Sequence, residues 1–221
     1  MSHFDVSFED LPASVPIFPL TGVLLLPRGM LPLNIFEPRY LNMVKDALAG
    51  DRLIAMAQPC QKSAAVKCDP PVYPICCAGR ITAFEETDDG RILISLKGLS
   101  RFRISEELAT TRGYRRVMAD WQDFEGDLHV DEGDGVDRDA LFKSLKAYFA
   151  AQGIQASWEA LCETPNERLI NSLAMICPFA PPEKQALLEA TNLADRARVL
   201  TTLVEMAVLD TGGDGGEKSK Q

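Results

Sequence analysis

The 221-residue chain is 46% hydrophobic and 25% charged, the proportions of an ordinary globular protein, which exclude global disorder and leave room for one generous domain or two small ones. A net charge of −9 argues against a duplex-binding protein, which needs clustered Lys and Arg to displace counterions, and provides no attraction to an anionic membrane. The acidic opening MSHFDVSFEDLPAS has neither a basic n-region nor an apolar h-region, and runs such as Val23 to Leu26 fall far short of a bilayer span, so a cytoplasmic address is expected.

Residues 1–13 read as an N-terminal arm. Val15 to Leu20 (VPIFPL) and Leu31 to Phe36 (LPLNIF) are apolar but carry prolines, which cannot donate to a ladder, so both are expected as edge or irregular strands. Pro38 then suits a first helical turn, Tyr40, Leu41, Val44 and Leu48 recur at helical spacing, and Gly50 supplies a stop. Arg52 to Ala57 reads as a strand and Pro59 to Pro74 as a long loop. Ile75 to Phe84 and Arg91 to Leu96 flank Asp89-Gly90, a hairpin signal. Leu99 to Ile104 and Tyr114 to Trp121 complete the strands. These elements predict a small, curled, mostly antiparallel sheet or barrel over residues 14–125.

Residues 126–138 are acidic, glycine-rich and without periodicity, and read as a linker. Helical stripes follow: Leu141, Leu145, Tyr148 and Phe149; Leu169, Leu173 and Ile176; Pro181-Pro182 leading to Leu187 and Leu188; and Leu193, Ala197, Leu200, Leu203, Val204 and Val208. A helical bundle over 139–210 and a disordered tail over 211–221 are expected.

No reactive constellation emerges. The two histidines, His3 and His129, lie in the arm and the acidic segment, with nothing nearby to set a tautomer or aim them at a nucleophile. No Walker loop, dinucleotide fingerprint or nucleophile elbow is present. Asp127, His129 and Asp131 alternate like the start of a calcium loop, but Glu132 stands where the turn needs Gly and Arg138 where the bidentate Glu belongs. Cys60, Cys68, Cys76, Cys77, Cys162 and Cys177 lack paired metal-ligand spacing and read as reduced thiols, with at least one of Cys76 and Cys77 buried by strand alternation. No metal, cofactor or catalyst is expected.

The string from Val15 to Leu48 resembles the opening of the Lon substrate-binding domain family. The shared pattern is Pro16 to Leu20, then Pro27, Gly29, Pro32 and Leu33, then Phe36 to Tyr40. A second block, Gly79 to Ile104, matches the family's hairpin and following strand through Gly98, Arg101 and Arg103, and Pro182 to Glu189 resembles its last helices. The resemblance implies an α+β fold: a PUA-like β-barrel or curled-sheet subdomain with one short helix, then a helical bundle. It also implies a non-catalytic module that recognises protein. The family's full protease adds an ATPase and a Ser–Lys proteolytic module, absent from these 221 residues, so a stand-alone form without either activity is expected, assisting protein quality control.

Pro19, Leu20, Pro32, Glu37, Pro38, Arg39, Tyr40, Gly98 and Arg101 form the structural signature, with Glu37 expected to pair with Arg39 or Arg101. Leu24, Leu25, Leu26 and Met30 are the candidate protein-binding surface; burial against the helical half is the competing reading. Arg101, Arg103, Arg112, Arg115 and Arg116 form the only basic cluster, which raises the alternative of an RNA-binding PUA-like module, although strand alternation would divide these arginines between faces. The expected partners are unfolded or client proteins, with a protease or chaperone alongside, and not a membrane.

Overall fold

The computed structural model describes residues 7–60 and 70–213, with side chains to 210. His3, Cys68 and most of the tail expected to be disordered lie outside the described residues. The chain is α+β. β1 (Ser14–Pro19), β2 (Met30–Ile35), α1 (Pro38–Ala49), β3 (Leu53–Ala57), β4 (Ile75–Glu86), β5 (Ile92–Leu108) and β6 (Arg115–Asp120) build the first half. A 3-10 segment, Gln122–Leu128, leads to α2 (Arg138–Gln152), α3 (Trp158–Glu163), α4 (Asn166–Ile176), α5 (Pro181–Glu189) and α6 (Leu193–Gly213).

The strands lie in the order β2-β5-β4-β3-β1-β6, and β6 returns to pair with β5. This closes a five-stranded barrel, on which β2 is the edge among the described strands. Among the described strands only the β1–β3 pairing is parallel. Of the two expectations for β1, edge or irregular, the edge reading is corrected here. β1 is flanked on both sides, but Pro16 lies in the stretch registered with β6 and Pro19 in the stretch registered with β3. Each proline therefore has one unladdered flank toward which its donorless nitrogen can turn.

The sequence divides β5 in two, and the fold explains the division. Ala78 opposes Ser100 while Gly79 opposes Gly98, leaving Leu99 bulged. An extra residue reverses which face the following side chains occupy. Ile92, Ile94 and Leu96 pack into the large core beneath the helical half, whereas Phe102 packs inside the barrel with Val15, Ile17, Ala55 and Trp121. The bulge thereby turns Arg101 toward the helices.

α1 forms as expected, with Pro38 in its first turn and Gly50 as its C-cap, burying Tyr40, Met43, Val44 and Ala47. In the helical half, Leu141, Leu145, Tyr148, Phe149, Leu169, Leu173, Leu187, Leu188, Leu193, Ala197, Leu200 and Val204 join one core with the barrel's outer face. Ile176 departs from its stripe and is 80% exposed. The short helix α3, capped by Ser157 accepting from the Ala160 N–H, is an element the periodicity does not reveal; six residues are too few to repeat a pattern. No described helix is long and apolar enough to cross a membrane.

Candidate functional site: a trough between barrel and helices

The segment joining β1 to β2 dives into the seam between the two halves. Leu24, Leu25 and Leu26 are 5%, 1% and 0% exposed and belong to the main core. This corrects their candidacy as a contact surface: they fill the seam. Beyond them the chain turns sharply, with Arg28 at φ +61°. The turn is clamped to the β5 bulge, since Arg28 N–H donates to the Gly98 carbonyl and Gly98 N–H to the Gly29 carbonyl, each at 2.8 Å. A Cβ on Gly29 would come within 2.5 Å of Met175 Sδ on α4, so glycine here lets the turn approach the helix.

A polar network fixes this turn to the helices. The buried guanidinium of Arg101 donates from Nε and Nη2 to the two carboxylate oxygens of Asp127 at 2.8 Å, and the Arg101 N–H reaches the same carboxylate at 2.9 Å. Its Nη1 donates to the Leu188 and Ala190 carbonyls at 3.0 and 2.5 Å, satisfying the C-terminal end of α5. Arg28 forms a bidentate pair with Glu167 of α4, with Nε–Oε2 at 2.7 Å, and donates to the Asp127 carbonyl. Asn171 donates to the Pro27 carbonyl at 3.2 Å and accepts from Arg196 at 3.1 Å. Bidentate, fully bonded pairs of this kind fix orientation. The segment expected as a linker is thus anchored through Asp127, and Asp131 caps α6 by accepting from the Leu193 N–H.

Two adjoining cavities open over this network. One, about 600 Å³, is lined by Met30, Lys97, Val130, Arg168, Met175 and Ile176 among others. The other, about 450 Å³, includes Asp123, Val130, Asp131, Glu132, Asp134 and Arg196. Pro27, Arg28, Val130, Asp131, Glu132 and Glu167 line both, so they are compartments of one trough with the Arg28–Glu167 pair at their boundary. Met30, Val130 and Ile176, which are 53%, 65% and 80% exposed, come from β2, the acidic segment and the end of α4. Of the four candidates Met30 alone reaches this surface. Val130 falls in the expected linker and Ile176 on an expected core stripe, and no periodicity marks a residue whose neighbours arrive by tertiary packing.

The signature residues lie in the barrel and at the start of α1. Pro19 ends β1, the Leu20 N–H donates to Ala57, and Pro32 sits on the edge strand β2. Glu37 is the N-cap residue of α1 and accepts from Arg39 at 3.1 Å, Arg39 stacks over Tyr40, and Tyr40 packs on Phe18 at 4.2 Å between ring centroids. Glu37 thus pairs with Arg39, while Arg101 takes Asp127. The basic cluster is dispersed: Arg103 faces Asp123, Arg112 pairs with Asp46, Arg115 with Glu107, and Arg116 donates to Ser14. Four of the five, Arg101 included, lie against carboxylates, which reduces the positive charge they could offer a phosphate backbone.

Cys76 and Cys77 are both buried, on opposite faces of β4, one inside the barrel and one in the main core. Burial pushes the Cys76 thiol up to about 12 and the Cys177 thiol to about 11, and raises Cys77 as well, so all three stay protonated and unreactive near neutrality. No group of three or more potential metal ligands occurs among the described residues.

Residues 14–205 match the family model described as the ATP-dependent protease La (LON) substrate-binding domain. The chain is 24% identical over 212 residues to Lon protease 2 of Thermus thermophilus, covering 91% of this chain and 25% of that protein. It is 28% identical over 216 residues to Lon protease of Flavobacterium johnsoniae, covering 92% and 25%. The chain thus spans about a quarter of the length of these curated relatives. Among solved structures, the Lon N-terminal domain protein from Xanthomonas campestris superposes with a TM-score of 0.58 at 22% identity, covering 86% of this chain and 97% of that one. The N-terminal domain of Mycobacterium avium complex Lon protease gives 0.61 at 17% identity, with the same two coverages.

Proposed function

The chain belongs to the Lon substrate-binding domain family, and on that premise we propose that it is a non-catalytic module that captures unfolded protein segments in the trough between barrel and helices. Family membership supports protein substrates in general. The convergence of Met30, Val130 and Ile176 on one cleft, with Met175 beside them, carries the assignment to this surface. Large apolar side chains that converge in water from three separate elements mark an interaction site. Two methionines suit a surface that takes varied sequences, because an unbranched thioether adapts to the shape it meets. The rigid turn beneath, held by Gly98 and the Arg101–Asp127 pair, keeps the cleft preformed and lowers the ordering cost of binding. The module works in the cytoplasm, where its buried thiols stay reduced, and hands clients to a protease or chaperone.

The test is capture of a reduced, chemically unfolded model protein by the parent and by Ile176→Glu and Met30→Glu. Both variants should stay folded and lose most of the captured client. Folded variants that retain full capture would overturn the assignment to the trough. With four of the five arginines set against carboxylates and Arg116 bonded to Ser14, no specific observation favours the RNA-binding reading.

A further inference from the structure

The two compartments of the trough differ in charge as well as in polarity. Within the larger one the apolar side chains of Met30, Met175 and Ile176 share the lining with Lys97 and Arg168, which offset the Asp131 and Glu132 common to both compartments. The smaller contains three arginines, but Arg28 is paired with Glu167 and Arg101 with Asp127. Arg196 is buried and bonded to the Leu187 carbonyl and Asn171, with its Nη2 unpartnered among the described residues. The exposed charges of this compartment are Asp123, Asp131, Glu132 and Asp134. Asp123 faces Arg103 at 3.7 Å, and Asp131 accepts from two main-chain N–H groups. A solvent-exposed negative rim on a concave wall attracts cations and repels carboxylates.

From this charge pattern, and resting on the trough being the capture site, we propose that the preferred occupant is an extended protein segment in which a large apolar residue is closely flanked by Lys or Arg. The apolar side chain enters the methionine-lined compartment, and the cation lies beside Glu132 and Asp134. The Arg28–Glu167 pair at the boundary spaces the two.

Short fluorescent peptides with an identical apolar centre and either Lys or Glu on its flank test this by anisotropy at low and high salt. The Lys peptide should bind the parent about fivefold tighter or more at low salt, with the gap shrinking as salt screens the rim. The Glu132→Lys/Asp134→Lys variant should reverse the order, and Glu132→Gln/Asp134→Asn should level it. Equal binding of both peptides by the parent, or a preference unmoved by either double variant, overturns the charge preference while leaving trough capture standing. Failure of both peptides to bind the parent overturns both.

Discussion

A Cβ placed on Gly98 would overlap the main-chain oxygen of Leu26 and lie within 2.8 Å of its carbonyl carbon. That close approach joins the β5 bulge to the turn before β2, and the floor of the trough is built on it. The obstructing atoms belong to backbone whose neighbouring groups are hydrogen-bonded to the bulge, so no side chain can swing away to relieve the clash.

Gly98→Ala is therefore expected to be severely destabilising, beyond the roughly 1–3 kcal/mol usual for overpacking. Gly22, at φ +75°, supplies the contrast, because an added methyl there would meet nothing within 4 Å. Gly22→Ala should lose only about 1 kcal/mol, from the positive φ alone. Urea denaturation of the two variants checks the ordering.

The Arg101–Asp127 pair is buried on both sides. Asp127→Ala leaves a buried guanidinium with only the α5 carbonyls, and should lose about 3–5 kcal/mol of stability. Arg101→Met removes the charge but strands both Asp127 and those carbonyls, so a loss of similar size is expected. A double-mutant cycle over the two positions should show strong coupling; additive losses would contradict the shared network.

Leu25 and Ile176 separate folding from capture. Leu25→Ala opens a cavity in the seam and should lose about 2–5 kcal/mol. Ile176 is 80% exposed, so Ile176→Glu should change stability by no more than about 0.5 kcal/mol. Thermal melts set beside the capture assay distinguish the two.

The buried thiols predict an alkaline weakness. Burial holds Cys76 near 12 and Cys177 near 11, against an ordinary value of 9.0. Below pH 9 these thiols are protonated in both folded and unfolded chains, and their contribution to stability is fully present. As pH rises from 9 toward 11 and 12, unfolded thiols ionise while folded ones cannot, so the unfolded state binds fewer protons and stability falls. The slope approaches about 1.4 kcal/mol per pH unit for each thiol. Urea midpoints should drop over this range, and less steeply in Cys76→Ala. In the native protein at pH 8, a thiol alkylating agent should modify exposed Cys162 at once and Cys76, Cys77 and Cys177 only after denaturant is added.

Most elements are legible in the sequence because their signals are local. Pro38 and Gly50 bracket α1, Asp89-Gly90 turns the β4–β5 hairpin, and the leucine stripes of α2 and α6 bury as their spacing indicates. α3 escapes because six residues carry too little period. β1 reads as an edge or irregular strand because proline content reports a missing donor but not which flank lacks a neighbour.

Chain order and side-chain period determined an α+β protein with a curled sheet ahead of helices, and the block of residues from Pro16 to Tyr40 marked its family. Only packing in three dimensions decided where the surface lies. Leu24, Leu25 and Leu26 are as apolar as Met30 and Ile176, and nothing local distinguishes an apolar residue that meets a partner from one that meets water. That outcome depended on the bulge at Leu99, which turned Arg101 toward Asp127 and drew the Pro27 turn down onto Gly98 beside α4.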